Sequence, residues 1–144
     1  MAPTIRHATA GDQRTIRRLI RAAHLNPMSL EWPNFLVAEE GGVIVGIGQV
    51  KTHRDGSREV ASIAVVPERQ RQGIGSSLID ALLARQGDGV LYLTCRLAMQ
   101  RYYERFRFRR ILRREFPPFF ARMMPVVNAF ARLARTEIIV MRRD

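Results

Sequence analysis

The sequence predicts a single α/β domain over residues 1–144, with a mixed, mostly antiparallel sheet of six to seven strands and helices on both faces. Short apolar segments with strand character alternate with segments of helical periodicity, which is the pattern of such a sheet. A nearly all-apolar segment at residues 90–95 follows a helical segment, as expected for a parallel crossover. The length allows one hydrophobic core and leaves little room for a second.

The first half of the chain predicts a strand, a helix and then a three-stranded meander. Thr9 is a candidate cap for the helix, and Ile16, Leu19, Ile20 and Ala23 lie on one of its faces. Turns are predicted at residues 39–42 and at Asp55 and Gly56. The predicted elements are strands at residues 4–8, 35–38, 43–51 and 59–66 and a helix at residues 12–25.

The second half continues with a helix, the crossover strand and further short elements. Ile74, Leu78, Ile79, Leu82 and Leu83 form the core side of the first helix, which is broken by glycines at residues 87–89. The predicted elements are helices at residues 73–84 and 97–106 and strands at residues 90–95, 108–112 and 137–141.

An additional helical insertion is predicted at residues 117–135. Two prolines open the segment, and its apolar residues recur with helical spacing. Pro125 should kink the helix or split it in two. The segment is interpreted as an apolar lid or as a homodimer interface. The residues available for burial are Phe119, Met123, Val126, Val127, Phe130 and Leu133.

The composition is strongly basic, with a net charge of +11 and Lys51 as the one lysine beside 23 arginines. Such a surplus attracts polyanions, although a solvated surface explains many of these arginines equally well. The single cysteine, Cys95, excludes an internal disulfide and a cysteine-based zinc cluster. Since no signal pattern or long apolar span is visible, a cytoplasmic location is expected. The densest basic cluster is Arg105, Arg107, Arg109, Arg110, Arg113 and Arg114.

A glycine-containing loop joins the strand at residues 59–66 to the next helix. The strand stops at Pro67, a polar loop follows, and helical periodicity resumes directly after Gly73 and Gly75. Glycines allow a ligand to approach the backbone closely, and the first amides of a helix have no internal acceptor. The arrangement predicts an anion site at the start of this helix.

Gln70, Gly73 and Gly75 form a Q-x-x-G-x-G pattern within residues 64–78, between a predicted strand and a predicted helix. The pattern matches the Q/R-x-x-G-x-G/A signature of the Gcn5-related N-acetyltransferase (GNAT) superfamily, and residues 64–78 resemble motif A of that family. Residues 101–108 resemble the family's tyrosine motif, although Arg107 replaces the usual glycine. The resemblance covers residues 3–112 and the final strand.

The resemblance implies that acetyl-CoA is the co-substrate. The strand at residues 59–66 would then bulge and splay from the strand at residues 90–95, leaving backbone groups free to pair with pantetheine. The implied pantetheine contacts are Ala64, Val65 and Val66. The implied pyrophosphate contacts are the amides of Arg71, Gln72, Gly73, Ile74, Gly75 and Ser76.

The resemblance also supplies candidates for acid and base catalysis. Tyr103 matches the family tyrosine and would protonate the departing thiolate; the alternative is that it only packs under the cofactor. Glu59 is the candidate base for the amine, and the alternatives are a water relay or a solvated edge residue. Direct attack in a ternary complex would make the base partly dispensable.

The expected function is therefore acetyl transfer to a primary amine of a small molecule or protein. Glu31, Glu39 and Glu40 are candidates to attract a cationic amine, or are solvated charges. No metal is expected, because the three histidines, His7, His24 and His53, lack ligand spacing and are interpreted as ordinary structural residues. The alternative is a catalytically weak binding module whose arginines contact nucleic acid or a protein. Nucleic acid is the less favoured partner, and no membrane contact is expected.

Overall fold

The computed structural model describes residues 2–144. These residues form two compact units. The first contains the residues up to Lys51 together with Val60–Gly87, and the second contains Thr52–Glu59 together with Asp88–Asp144.

The first unit consists of a helix-covered antiparallel sheet. Its elements are β1 (Thr4–His7), α1 (Gln13–Ala22), β2 (Phe35–Glu40), β3 (Val43–Thr52), β4 (Arg58–Val65) and α2 (Ile74–Gln86), of which β3 and β4 each extend into the second unit. β2 pairs antiparallel with both β1 and β3. Fully buried apolar residues hold the unit together, among them Ile16, Ile20, Phe35, Val37 and Ile47.

The second unit is built on β5 (Leu91–Arg96), α3 (Gln100–Glu104), β6 (Arg109–Arg110), α4 (Pro118–Leu133) and β7 (Ile138–Arg143). β7 pairs antiparallel with β5 and β6, and β4 pairs in parallel with β5 through Glu59 and Tyr92. The strand order β1-β2-β3-β4-β5-β7-β6 confirms the predicted mixed, mostly antiparallel sheet. The core of this unit contains Tyr92, Ile111, Phe120, Met124 and Val140.

Three predicted element ends in the first unit are wrong, one of them that of α2, which ends at Gln86 instead of residue 84. β2 continues through Glu40, because Gly41 and Gly42, with φ of 57° and 79°, form the two-residue turn alone. α1 ends at Ala22 instead of residue 25, because His24 adopts a left-handed φ of 55°.

Two predicted elements of the second unit are shorter than expected. The helix predicted at residues 97–106 is a 3-10 turn at Leu97–Met99 followed by α3, which spans Gln100–Glu104. The strand predicted at residues 108–112 is reduced to β6, because pairing with β7 extends only over Arg109 and Arg110.

α4 differs from its prediction in two respects. It is one helix that continues through Pro125, so of the two predicted alternatives, a kink or a split, the split is wrong. Burial of one face keeps the helix intact although proline removes one backbone donor. The buried face contains Phe120, Met124 and Ala131, which are four and seven residues apart and so lie on the same side. Three of the residues available for burial are exposed in this structure, namely Val126 at 59%, Phe130 at 69% and Leu133 at 82%.

Candidate active site

The loop between β4 and α2 has the backbone geometry of an anion site. Gly73 precedes the helix with φ of 83°, and a Cβ placed there would meet no heavy atom within 4 Å. The amide of Ser77 donates to the Gly73 carbonyl at 3.0 Å and closes the first helical turn. The amides of Ile74 and Gly75 precede this bond and therefore have no acceptor within the helix, which is the property that lets a helix N-terminus bind an anion.

Side chains hold this loop in place. The Gln70 amide nitrogen donates to the Val65 carbonyl at 3.0 Å, and Arg69 Nε donates to Gln72 Oε1 at 2.9 Å. Arg69 also forms an ion pair with Glu40. A cavity of about 300 Å³ adjoins the loop and is lined in part by Arg69, Gln72 and Gly73. The glutamine of the signature thus fixes the loop to the end of its strand.

The proposed attraction of a cationic amine by Glu39 and Glu40 finds no support in their contacts. Glu39 forms an ion pair with Arg6 at 2.9 Å, and Glu40 is paired with Arg69. Their negative charges are compensated within the first unit, whereas Glu31 is exposed.

The backbone of β4 is irregular, as the resemblance implied. Ser62 has a left-handed φ of 61° within the strand, the conformation found in β-bulges. Its hydroxyl accepts a hydrogen bond from the fully buried Gln49 at 2.8 Å, which stabilises the irregularity. The expectation that Val66 offers free backbone groups is wrong. Its amide donates to the Val45 carbonyl at 2.9 Å and its carbonyl accepts from the Arg69 amide at 3.0 Å.

Tyr103 lies on α3 in an environment that favours its neutral form. Burial, assisted by Cys95 and Tyr102, raises the pKa of Tyr103 to about 12. The phenol therefore remains protonated at neutral pH and can donate a proton to a developing anion. Burial also raises the pKa of the Cys95 thiol to about 11, which removes the thiolate character that a nucleophile needs.

Glu59 is not an isolated carboxylate. Its Oε1 lies 2.7 Å from His53 Nε2, and the two side chains are only 8% and 10% exposed. The His53 ring stacks on Phe119 with centroids 3.5 Å apart, while Asp55 Oδ2 accepts a hydrogen bond from the Phe119 amide at 2.8 Å. The interpretation of His53 as an ordinary structural residue missed this pair. The one signal for it was the turn at Asp55, which brings the flanking chain segments together.

The candidate acid and base lie on opposite faces of β5. Glu59 is paired with Tyr92, whereas Tyr103 is near Cys95, three residues further along the strand. Successive strand residues alternate between faces, so an odd separation places Tyr92 and Cys95 on opposite sides. Their separation along β5 is roughly 10 Å.

Neither a metal site nor a membrane-spanning helix is found among the described residues. Among residues 2–144, no group of three or more His, Cys, Asp and Glu side chains has an arrangement that could hold a metal ion. In the same part of the chain, no helix has both the length and the apolar character required to cross a membrane.

The chain matches a known protein family. A family model described as the acetyltransferase (GNAT) domain matches residues 31–110. No curated protein sequence matches significantly.

Solved structures share the fold at low sequence identity. N-acetylglutamate synthase from Neisseria gonorrhoeae, crystallised with coenzyme A and N-acetyl-glutamate, is 22% identical with a TM-score of 0.74; the match covers 97% of this chain and 34% of the synthase. The chain thus spans about a third of that enzyme. Rv2747 from Mycobacterium tuberculosis, crystallised with CoA, is 19% identical with a TM-score of 0.73 and 98% coverage of both chains. The ribosomal-protein-S18-alanine N-acetyltransferase from Escherichia coli is 20% identical with a TM-score of 0.69, and the match covers 97% of this chain and 92% of that one.

Proposed function

The chain belongs to the acetyltransferase (GNAT) family, and on this premise we propose that it transfers an acetyl group from acetyl-CoA to a primary amine of a small molecule or protein. The observation that carries the proposal is the loop before α2. There Gly73 has a left-handed φ of 83° with no heavy atom within 4 Å of where a Cβ would lie, and it directly precedes the first amides of α2, which have no helical acceptor. A cytoplasmic location fits a chain with one half-buried cysteine, which needs no oxidising compartment.

The proposed cofactor contacts follow the loop and the strand before it. The amides of Arg71, Gln72, Gly73, Ile74, Gly75 and Ser76 are proposed to bind the pyrophosphate. Ala64, and Val65 through its amide, are proposed to pair with the pantetheine arm, since Val66 already uses its amide and carbonyl internally and the Val65 carbonyl accepts from Gln70. A thioester is an activated acyl donor, so the proposed reaction uses no metal.

In the proposed mechanism the amine attacks the thioester directly in a ternary complex. The amine nitrogen forms a bond to the carbonyl carbon, Glu59 accepts the proton that the amine loses, and the C–S bond breaks. Tyr103 then donates its proton to the departing thiolate. The hydrogen bond from His53 is proposed to hold the Glu59 carboxylate in position.

The acceptor class is proposed from charge and from the relatives. A net charge of +11 favours an acceptor that also carries negative charge. One of the similar enzymes was crystallised with N-acetyl-glutamate, the product of acetylation of an amino acid. Another is named for acetylation of an alanine of a ribosomal protein. L-glutamate and a peptide beginning with alanine are therefore the first acceptors to assay.

Calorimetric titration with acetyl-CoA, CoA and ADP tests the cofactor proposal. We expect micromolar binding that weakens from acetyl-CoA or CoA to ADP. Gly73→Glu should abolish it, because it places a side chain and a like charge against the pyrophosphate. Gly42→Glu is the matched control, since Gly42 also has positive φ and open space but lies in the β2–β3 turn. Equal affinity in both variants would contradict the assignment of the loop.

The exposed basic cluster favours a second candidate function, namely binding of nucleic acid or a protein partner. All six arginines from Arg105 to Arg114 are exposed, although Arg109 and Arg110 are paired with Glu115 and Glu137. Affinity for duplex DNA or RNA that falls steeply with salt, in a protein that does not bind acetyl-CoA, would favour this alternative.

A homodimer through α4 is a further proposal for the partners of this chain. It is supported by the exposed stripe formed by Val126, Phe130 and Leu133, which lie four and three residues apart on one side of the helix. Replacing Phe130 and Leu133 by serine should convert a dimer to a monomer in analytical ultracentrifugation. A wild-type protein that sediments as a monomer at all concentrations would contradict the proposal.

A further inference from the structure

The second unit contains a groove that the proposed acetyl transfer does not use. This α4 groove has a volume of about 420 Å³ and lies along α4, β7 and the segment between β6 and α4. Neither Tyr103 nor Glu59 lines it. The lining residues that matter here are Leu112, Phe116, Met124, Ile138, Arg113 and Arg132.

The apolar part of the α4 groove has a buried floor and an accessible wall. Met124 is 3% exposed, whereas Leu112 is 56% exposed although it is a large apolar side chain. Phe116 and Ile138 are partly buried beside them. A ligand that covered Leu112 and these neighbours would remove apolar surface from water, which is favourable.

The charged part of the α4 groove has a surplus of positive charge. Three arginines line it against one glutamate. Arg110 and Glu137 pair with each other at 2.7 Å. Within residues 2–144, Arg113 and Arg132 take part in no ion pair. Two guanidinium groups are thus available to an anion beside an apolar wall.

We propose that the α4 groove binds a small monocarboxylate with an apolar body. The carboxylate would lie between Arg113 and Arg132, because the guanidinium fork matches the two carboxylate oxygens, and the apolar body would lie against Leu112, Phe116 and Met124. The volume lies within the usual range of small-molecule pockets. Glu137 lines the same groove, and its carboxylate repels a doubly charged phosphate more than a monocarboxylate. This inference is independent of the proposed acetyl transfer.

The test uses the full chain, 4-phenylbutyrate as the probe and the Met124 methyl group as the NMR reporter. We expect saturable shifts of the Met124 signal at moderate salt. The affinity obtained from these shifts should be at least tenfold weaker for 4-phenyl-1-butanol, which has the same apolar body without the charge. It should also be at least tenfold weaker for 4-phenylbutyl phosphate. The double variant Arg113→Gln, Arg132→Gln should lose at least tenfold in affinity. Arg122→Gln is the matched control for the single variants Arg113→Gln and Arg132→Gln, because Arg122 is an exposed arginine of α4 outside the groove.

Each contrary result overturns a defined part of the inference. No shift of Met124 with 4-phenylbutyrate, or equal binding of the alcohol, would remove the carboxylate site. Tighter binding of the phosphate would refute the monocarboxylate class. An equal loss of affinity in Arg122→Gln would mean that 4-phenylbutyrate is attracted by the overall positive charge of the protein and not by a site at Arg113 and Arg132.

Discussion

The high pKa of Tyr103 makes a quantitative prediction for the variant Tyr103→Phe. Burial raises the pKa of Tyr103 from 10.0 to about 12. A shift of this size corresponds to roughly 2–3 kcal/mol against the phenolate in the folded state. At pH 11, about a tenth of Tyr103 would be ionised, whereas about nine tenths of an unperturbed tyrosine would be.

Ultraviolet difference titration measures this directly. The absorbance of phenolate near 295 nm is compared between wild type and Tyr103→Phe, so that the contributions of Tyr92 and Tyr102 cancel. We expect the missing tyrosine to begin ionising only above about pH 11. Titration of that tyrosine near pH 10 would refute the reasoning from burial.

The same shift affects stability at alkaline pH. The unfolded tyrosine ionises at its ordinary pKa of 10.0, before the folded one at about 12. The contribution of Tyr103 to the free energy of unfolding is therefore intact below pH 10 and is lost as pH rises through the folded pKa. Wild type should lose more stability than Tyr103→Phe over this interval in urea denaturation.

The catalytic role of Tyr103 is tested with an active acceptor. Tyr103→Phe should lower kcat by about a hundredfold or more and leave the affinity for acetyl-CoA nearly unchanged, because only proton donation to the thiolate is removed. Release of CoA can be followed with a thiol reagent, since Cys95 has a pKa of about 11 and reacts slowly. An unchanged kcat would leave Tyr103 with a packing role alone.

Three further changes test the loop, the base and the core. Gly73→Ala should weaken acetyl-CoA binding at least tenfold by calorimetry. Gly42→Ala, which introduces similar backbone strain, should alter stability only. Equal affinities of the two variants for acetyl-CoA would refute the loop assignment. Glu59→Gln should lower kcat/KM by about a hundredfold in a steady-state assay, and retention of full activity would indicate a water relay or direct attack. Phe120→Ala should cost about 3–5 kcal/mol in urea denaturation, because Phe120 is fully buried. Phe130→Ala, at 69% exposure, should change stability by less than about 0.5 kcal/mol. A loss similar to that of Phe120→Ala would refute the observation that α4 buries the face with Phe120 and exposes the face with Phe130.

Local signals explain why most of the fold could be predicted from the sequence. Gly73 directly before a helical pattern predicted the start of α2, and Gly41 and Gly42 predicted a turn, because backbone freedom is a property of the residue itself. The core side of α2 was also predicted, since Leu78, Ile79 and Leu82 are buried. The short length of β6 was not, because pairing depends on a partner strand.

The site features that could not be predicted depend on contacts between distant residues. Val66 is a residue typical of strands, so nothing in its type indicates its partner. The hydrogen bond from its amide to the Val45 carbonyl depends on the register of neighbouring strands. The aromatic ring that stacks on His53 of the His53–Glu59 pair belongs to Phe119, more than fifty residues away in the chain. The amphipathic pattern of α4 contains enough apolar residues for two faces, so packing decides which one is buried.

The hydrogen bond from the Phe119 amide to Asp55 couples local unfolding at the start of α4 to local unfolding of the β3–β4 hairpin. An amide at the start of a helix normally exchanges with water freely, since it has no helical acceptor. Here its acceptor belongs to the hairpin turn, beside the residues that hold His53. In native-state hydrogen exchange, the Phe119 amide should therefore be protected together with the hairpin amides. The helix end and the hairpin would then unfold as one cooperative segment, so a mutation in the turn changes the protection of α4.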